Sequence, residues 1–232
     1  VKFLLPEDFA TRRGRRRAWR SLLLDDHGAL RLVYDNTHRL SPKLWRTYQP
    51  SPSRIARWAG MGVKTIVNLR GLRNHERQPG FYYLEEEAAR RHGVRLVNLR
   101  AYSREAPKRD FVLDLAALFE TMDYPAILHC KSGADRAGLA STLYLFLHER
   151  RPLDEALRQL SFRYGHVRHG KTGVLGAFFG AYREAARAED AEETPEHFLS
   201  WVRNDYDREA VQAAFRPTRL GSLLTERILR RE

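Results

Sequence analysis

The chain holds one cysteine, Cys130, in the stretch AILHCKSGADRAG at residues 126–138. A free cysteine is most often a small buried hydrophobe, but this one is surrounded by His129, Lys131, Ser132, Asp135 and Arg136. AILHC reads as a short apolar strand and AGLASTLYLFLHER (137–150) as a strongly apolar helix. A strand-to-helix loop aims backbone N–H groups toward one point, and the helix N-terminus adds positive potential there. The loop is therefore an anion cradle, and Gly133 permits its tight turn. The field that attracts phosphate also stabilises a thiolate. Arg136, at the end of a Cys-x5-Arg spacing, can grip two phosphate oxygens with its planar fork. A nucleophile, an oxyanion nest and a bidentate clamp are the parts that phosphoryl transfer to sulfur requires.

The elements that must hold this loop are legible around it. KTIVNLR (64–70) and VRLVNLR (94–100) are apolar, β-branched strands separated by a helix over YYLEEEAARRHG (82–93). That is a βαβ unit, which calls for a parallel pair. SRIARWAGMG (53–62) is a helix with Ser53 as cap, and Gly60 or Gly62 as its stop. DFVLDLAALFETM (110–122) is amphipathic with Asp110 as cap, and further helices are expected over 152–165 and 174–190. Short helices follow in HFLSWVRNDYD and REAVQAAFR. The expected fold class is α/β, a central mostly parallel sheet flanked by helices. Residues 1–35 read as a basic accessory arm with a short helix stopping at Gly28, 36–190 as the main domain, and 191–232 as a helical extension.

Composition narrows the setting. Hydrophobic residues make up 43% of the chain, enough for a sizeable core. No apolar run approaches the ~20 residues of a membrane-spanning helix, and LLL at 22–24 is too short for a secretory signal. One cysteine excludes an internal disulfide framework and a Cys-rich zinc site, so a reducing, cytoplasmic setting fits. The net charge of +12 favours polyanionic partners. RRGRRR (12–17) and the closing RILRRE read either as solvated basic faces or as attachment to the inner face of an anionic membrane, where each basic residue contributes ~1 kcal/mol. Nucleic acid is disfavoured as a partner: no RNP-like motif or regular aromatic interleaving accompanies the charge.

His129, Cys130, Gly133, Arg136 and Gly138 together resemble the signature loop of the cysteine-dependent protein tyrosine phosphatase superfamily, most of all its small bacterial dual-specificity-like members. WRTYQP (45–50) and TIVNLRG (65–71) resemble the lead-in segment and first core strand of that group, so the resemblance spans roughly residues 38–165. It implies a protein tyrosine phosphatase-like fold and a phosphomonoester phosphatase without metal or cofactor. In that mechanism Cys130 attacks phosphorus and forms a cysteinyl-phosphate. Arg136 and the N–H groups of Lys131, Ser132, Gly133, Ala134 and Asp135 hold the phosphoryl oxygens, and His129 tunes the cysteine from behind. The family usually places Ser or Thr after the loop arginine; here stands Ala137, with Ser132, Ser141 or Thr142 as substitutes. The general acid, usually an aspartate on an upstream loop, falls to Glu105 or to Asp135, with Asp110 read as a helix cap. Arg70 ends a strand on the expected active-site edge. It and Lys171 are candidate substrate contacts, while Arg70 and Arg100 are equally candidates for structural ion pairs. The substrate is a phosphorylated protein, or a phosphorylated small molecule or lipid such as a phosphoinositide, phospholipid or inositol polyphosphate. A catalytically weak phosphate-binding module is the rival from another class. A sulfur-transfer or arsenate-reducing enzyme is a third, but arsenate reduction usually needs partner cysteines, which this chain lacks.

Overall fold

The computed structural model describes residues 3–26, 29, 34–73 and 76–218. The chain divides into two compact units, residues 1–100 with 123–131, and residues 101–122 with 132–232. The expected arm thus contributes its described part to the first unit, and the expected extension its described part to the second.

The first unit carries the central sheet. Its strands are β2 (His38–Ser41), β3 (Leu44–Thr47), β4 (Thr65–Asn68), β6 (Arg95–Asn98) and β7 (Ala126–His129), in the order β2-β3-β7-β4-β6. β2 and β3 form an antiparallel hairpin; the other three pairings are parallel. TIVN and AILH are buried at every position, as central strands of a parallel sheet covered on both faces must be. The fold class is α/β, with a mostly parallel sheet flanked by helices. Helix α3 (Pro52–Gly60) and helix α4 (Gly80–Arg91) pack on the sheet through Ile55, Trp58, Ala88 and Ala89, which meet Ile66 and Ile127. Ser51, not Ser53, caps α3 by accepting from the Arg54 N–H. Pro52 decides this, because a residue without an N–H is best placed at the first helical position.

The basic N-terminal stretch is built into this unit. β1 (Phe3–Leu4) pairs antiparallel with β5 (Gln78–Pro79). Helix α1 (Pro6–Ala10) leads into α2 (Arg12–Arg20), which contains RRGRRR, and a π-helical turn over Ser21–Asp25 follows. The helix therefore begins upstream of the one expected and its turns run on to Asp25, while Gly28 is outside the described residues. Gly14, Ala18 and Leu22 recur at i, i+4, i+8 and are buried, while the arginines around them are exposed. Ala18 and Leu22 join a cluster with Leu4, Phe9 and residues Phe81–Leu84 of α4. The approach is close: a Cβ on Gly80 would stand 2.5 Å from the Ala18 Cα. Arg15 seals the contact with a two-pronged bond to Glu87 at 2.6 and 2.9 Å, and that hydrogen bond holds the Glu87 carboxyl below the usual carboxylate range.

The second unit is helical. It comprises α5 (Arg109–Thr121), α6 (Asp135–Leu143) running into a π-helical turn at Tyr144–His148, α7 (Leu153–Leu157), α8 (Val174–Ala188), α9 (Pro195–Asn204) and α10 (Arg208–Ala214). The helix expected over 152–165 stops at Leu157. Ser161 turns extended, and the chain closes a 3-10 turn at Phe162–Tyr164 onto left-handed Gly165. Phe198 of α9 is fully buried and packs edge-on against Phe146, Phe178 and Tyr182. Much of the expected extension is thus core of this unit; RILRRE lies outside the described residues.

Candidate active site

Parallel register brings three strand ends to one edge of the first unit. Thr47 of β3 and Asn68 of β4 both stand opposite His129 of β7. The chain just past each strand is pinned by its neighbours. The Cys130 N–H donates to the Thr47 carbonyl at 3.4 Å, the Gln49 N–H to the Lys131 carbonyl at 3.2 Å, and the Leu69 N–H to the His129 carbonyl at 2.9 Å. The repeated NLR gains a meaning here. Asn68 and Asn98 face each other in register, and the Asn68 amide donates to Asn98 at 3.0 Å. The Asn68 side-chain oxygen accepts from the Arg70 N–H at 2.9 Å, shaping the turn after the strand.

Cys130 is a free, buried thiol on the first residue beyond β7. His129 before it is fully buried; its Nε2 lies 2.6 Å from Glu85 Oε1, and its Nδ1 lies 3.4 Å from the Cys130 carbonyl. Lys131, Ser132 and Arg136 are partly exposed, whereas Gly133 and Ala134 are buried. Gly133 has φ 73°, the left-handed turn that a side chain would strain. Helix α6 opens at Asp135, whose Oδ1 lies 2.8 Å from Nδ1 of the buried His166.

The other sequence candidates are placed as follows. Arg70 is buried, with Nη1 donating to Asp26 at 3.0 Å and to Gln49 at 2.9 Å, and Nη2 2.8 Å from Asp26. Of its two expected roles the geometry supplies the ion pair and buries the charge that a substrate contact would need. Arg100 is exposed and reaches the Leu72 carbonyl at 3.4 Å. Glu105 is half-exposed and held by Arg208 at 2.6 Å. Asp110 does not cap α5: Lys108 occupies that position, and Asp110 lies in the first turn, where a carboxylate suits the helix dipole. Lys171 is exposed at the start of a 3-10 turn (Lys171–Gly173). Ala137 is buried in α6. The Ser141 and Thr142 hydroxyls donate to the Ala137 and Gly138 carbonyls one turn back, at 2.6 and 3.0 Å. Both are committed to their own helix, which leaves Ser132 of the three substitutes.

Three residues that converge on this edge escaped the sequence reading: Asp26, Gln49 and Glu85. Glu85 had a signal. It shares the helical face of Phe81, Ala88 and Ala89, all buried, where a lone carboxylate is out of pattern. Among the described residues no group of His, Cys, Asp and Glu is arranged to hold a metal ion, and no helix is long and apolar enough to cross a membrane.

Comparison with known proteins agrees with this geometry. The model of a family described as PTP-NADK, a DSP-PTPase phosphatase fused to NAD+ kinase, matches residues 33–172, more than half of the chain including the whole Cys130–Arg136 loop. No curated protein matches it. Among solved structures, a DUF442 protein from Shewanella putrefaciens CN-32, described as a candidate phosphatase, shares the fold at TM-score 0.50 and 17% identity, over 70% of this chain and 97% of that one. TpbA from P. aeruginosa aligns over 78% of this chain and 90% of its own, at 17% identity and TM-score 0.44. A candidate phosphatase from Neisseria meningitidis z2491 aligns over 52% and 83%, at 25% identity and TM-score 0.42. The strand, the HC pair, the left-handed glycine, the loop arginine and the family match lead to one statement: this chain belongs to the DSP-PTPase phosphatase family of the cysteine-dependent protein tyrosine phosphatase superfamily.

Proposed function

We propose that the chain hydrolyses phosphate monoesters through a cysteinyl-phosphate on Cys130. The observation that carries this reading is the signature loop itself: a central buried strand ends at a lone free cysteine, turns at left-handed Gly133 and enters a helix at Asp135, with Arg136 next. In the first step the Cys130 thiolate attacks phosphorus. The S–P bond forms as the bond to the leaving oxygen breaks, and that oxygen keeps the electron pair and takes a proton from a general acid. Arg136 and the loop N–H groups balance the charge on the remaining phosphoryl oxygens. Water then attacks phosphorus, giving a proton to the carboxylate left by the general acid as the S–P bond breaks, so that phosphate departs and the thiolate returns. The test is hydrolysis of p-nitrophenyl phosphate by the full chain with a chelator present. The proposal expects turnover that the chelator leaves intact and vanadate blocks; hydrolysis that the chelator abolishes would overturn it.

For the general acid we favour Asp135 over Glu105. Asp135 adjoins the clamp and is buried against His166, whereas delivering a proton from Glu105 would require breaking its contact with Arg208. Asp135→Asn is expected to lower kcat by about a hundredfold on an alkyl phosphate, a poor leaving group, but by only about threefold on p-nitrophenyl phosphate. Glu105→Gln is expected to treat both substrates alike; the reverse pattern would transfer the role to Glu105.

The basic face of α2 favours a second reading of the substrate, one carried on an anionic surface, because Arg12, Arg13, Arg16, Arg17 and Arg20 are all exposed. Phosphopeptides compared with phosphoinositides in anionic vesicles separate the two classes. Faster turnover of the vesicle-borne phosphate, lost at high salt, is the result that this reading requires.

A further inference from the structure

A chain of buried charged and polar side chains runs through the first unit to the residue before the nucleophile. It starts at Asp26, which closes the π-helical turn after α2 and is fully buried. Asp26 takes both arms of Arg70, and the Arg70 guanidinium also lies 3.8 Å over the Phe81 ring of α4. Arg70 Nη1 donates to Gln49 Oε1 at 2.9 Å. The Gln49 amide nitrogen donates to Glu85 Oε2 at 2.7 Å, and the other carboxylate oxygen of Glu85 meets His129 Nε2 at 2.6 Å. Gln49 has a second hold, since its backbone N–H donates to the Lys131 carbonyl. All five side chains are buried.

Resting on the phosphatase reading above, we infer that Glu85, Gln49 and the Asp26–Arg70 pair are positioning residues for the nucleophile: they fix the His129 ring and the first loop peptide, and they make the N-terminal segment part of the catalytic apparatus. The physical case is the cost of such a chain. Buried ion pairs are often replaceable by apolar residues without loss of stability, so two carboxylates, a guanidinium and an imidazole in one core need another reason. Charged clusters of this kind gather where a reactive group must be tuned. Glu85 accepts from Gln49 through one oxygen and holds the other 2.6 Å from His129 Nε2, while Nδ1 lies 3.4 Å from the Cys130 carbonyl, so the ring is held from both sides. Among the described residues, Glu85 meets His129 of β7 directly, stands near Tyr82 of its own helix, and is linked through Gln49 to Arg70 and Asp26.

The test compares Glu85→Gln, the paired replacement Asp26→Leu with Arg70→Met, and a change at the exposed Arg91, Arg91→Gln, as a control on the same helix. The paired replacement leaves no charge buried alone, so it can fold where a single change would not. Two readouts are taken on folded protein: kcat and KM across pH, and the rate at which iodoacetamide alkylates Cys130 across pH. For Glu85→Gln, kcat is expected to fall about tenfold with KM unchanged, and the Cys130 alkylation profile to depart from that of the wild type, because the His129 ring loses its hold. The paired replacement is expected to lower kcat about tenfold at constant KM, because Gln49 loses its anchor. Arg91→Gln matches the wild type. Wild-type kcat and superimposable alkylation profiles in both folded variants would overturn the inference. Alkylation needs no turnover, so a wild type without phosphatase activity but with profiles that shift in the variants would overturn the functional reading alone.

Discussion

Cys130→Ser is expected to reduce turnover below detection while the protein stays folded and still binds phosphate. Serine nearly matches the shape of the buried thiol, so the strand and loop have no reason to rearrange. What is lost is the nucleophile: a hydroxyl is not ionised by a field sufficient for a thiol. A loss of about a thousandfold or more in kcat is the scale for deleting a covalent catalyst. In the proposed mechanism backbone N–H groups and Arg136 hold the phosphoryl oxygens, and Cys130→Ser removes neither, so titration with vanadate or phosphate should show retained affinity. This pairing also excludes the rival reading. A phosphate-binding module without catalysis would show no turnover to lose, and any hydrolysis it displayed would survive the substitution.

Arg136→Lys is expected to lower kcat/KM by about a hundredfold to a thousandfold, with KM rising as well as kcat falling. Lysine keeps the charge, so a role as a general positive potential would tolerate the change. A clamp would not, because the planar fork that spans two phosphoryl oxygens becomes a single point. Arg136 is the second residue of α6 and partly exposed. Its backbone is therefore set by the helix, and the substitution carries little cost in stability. Steady-state kinetics beside a thermal melt separates the two effects. A loss under about tenfold in a protein of unchanged stability would remove Arg136 from the clamp role.

The loop's local structure was readable because it is local. AILHCKSGADRAG contains its own strand, turn and helix start, and TIVN and AILH announce central strands by being apolar throughout. Two kinds of feature were not readable. The first is convergence: Asp26 and Arg70 are 44 residues apart, and Arg70 and Gln49 are 21 apart. Parallel register and the docking of α2 bring them together, and no single window contains that information. The second is a segment whose pattern misleads. RRGRRR has almost no apolar content, yet α2 docks on two small residues, Gly14 and Ala18, which no hydrophobic periodicity reveals. PLDEALRQLSFRYG carries helical spacing, yet it turns at Ser161 and Gly165. Ser141 and Thr142 looked available from composition and are bonded back to their own helix.

The central claim is a covalent intermediate on one sulfur, and rapid-quench mass spectrometry tests it most directly. The full chain is mixed with p-nitrophenyl phosphate, quenched within a single turnover under conditions that preserve thiophosphate esters, digested, and mapped. The account predicts a phosphoryl group on the peptide bearing Cys130, appearing with the first burst of nitrophenol, decaying as phosphate is released, and absent from Cys130→Ser. Full turnover with no phosphoryl group on Cys130 at any quench time, or with the group on another residue, would contradict it.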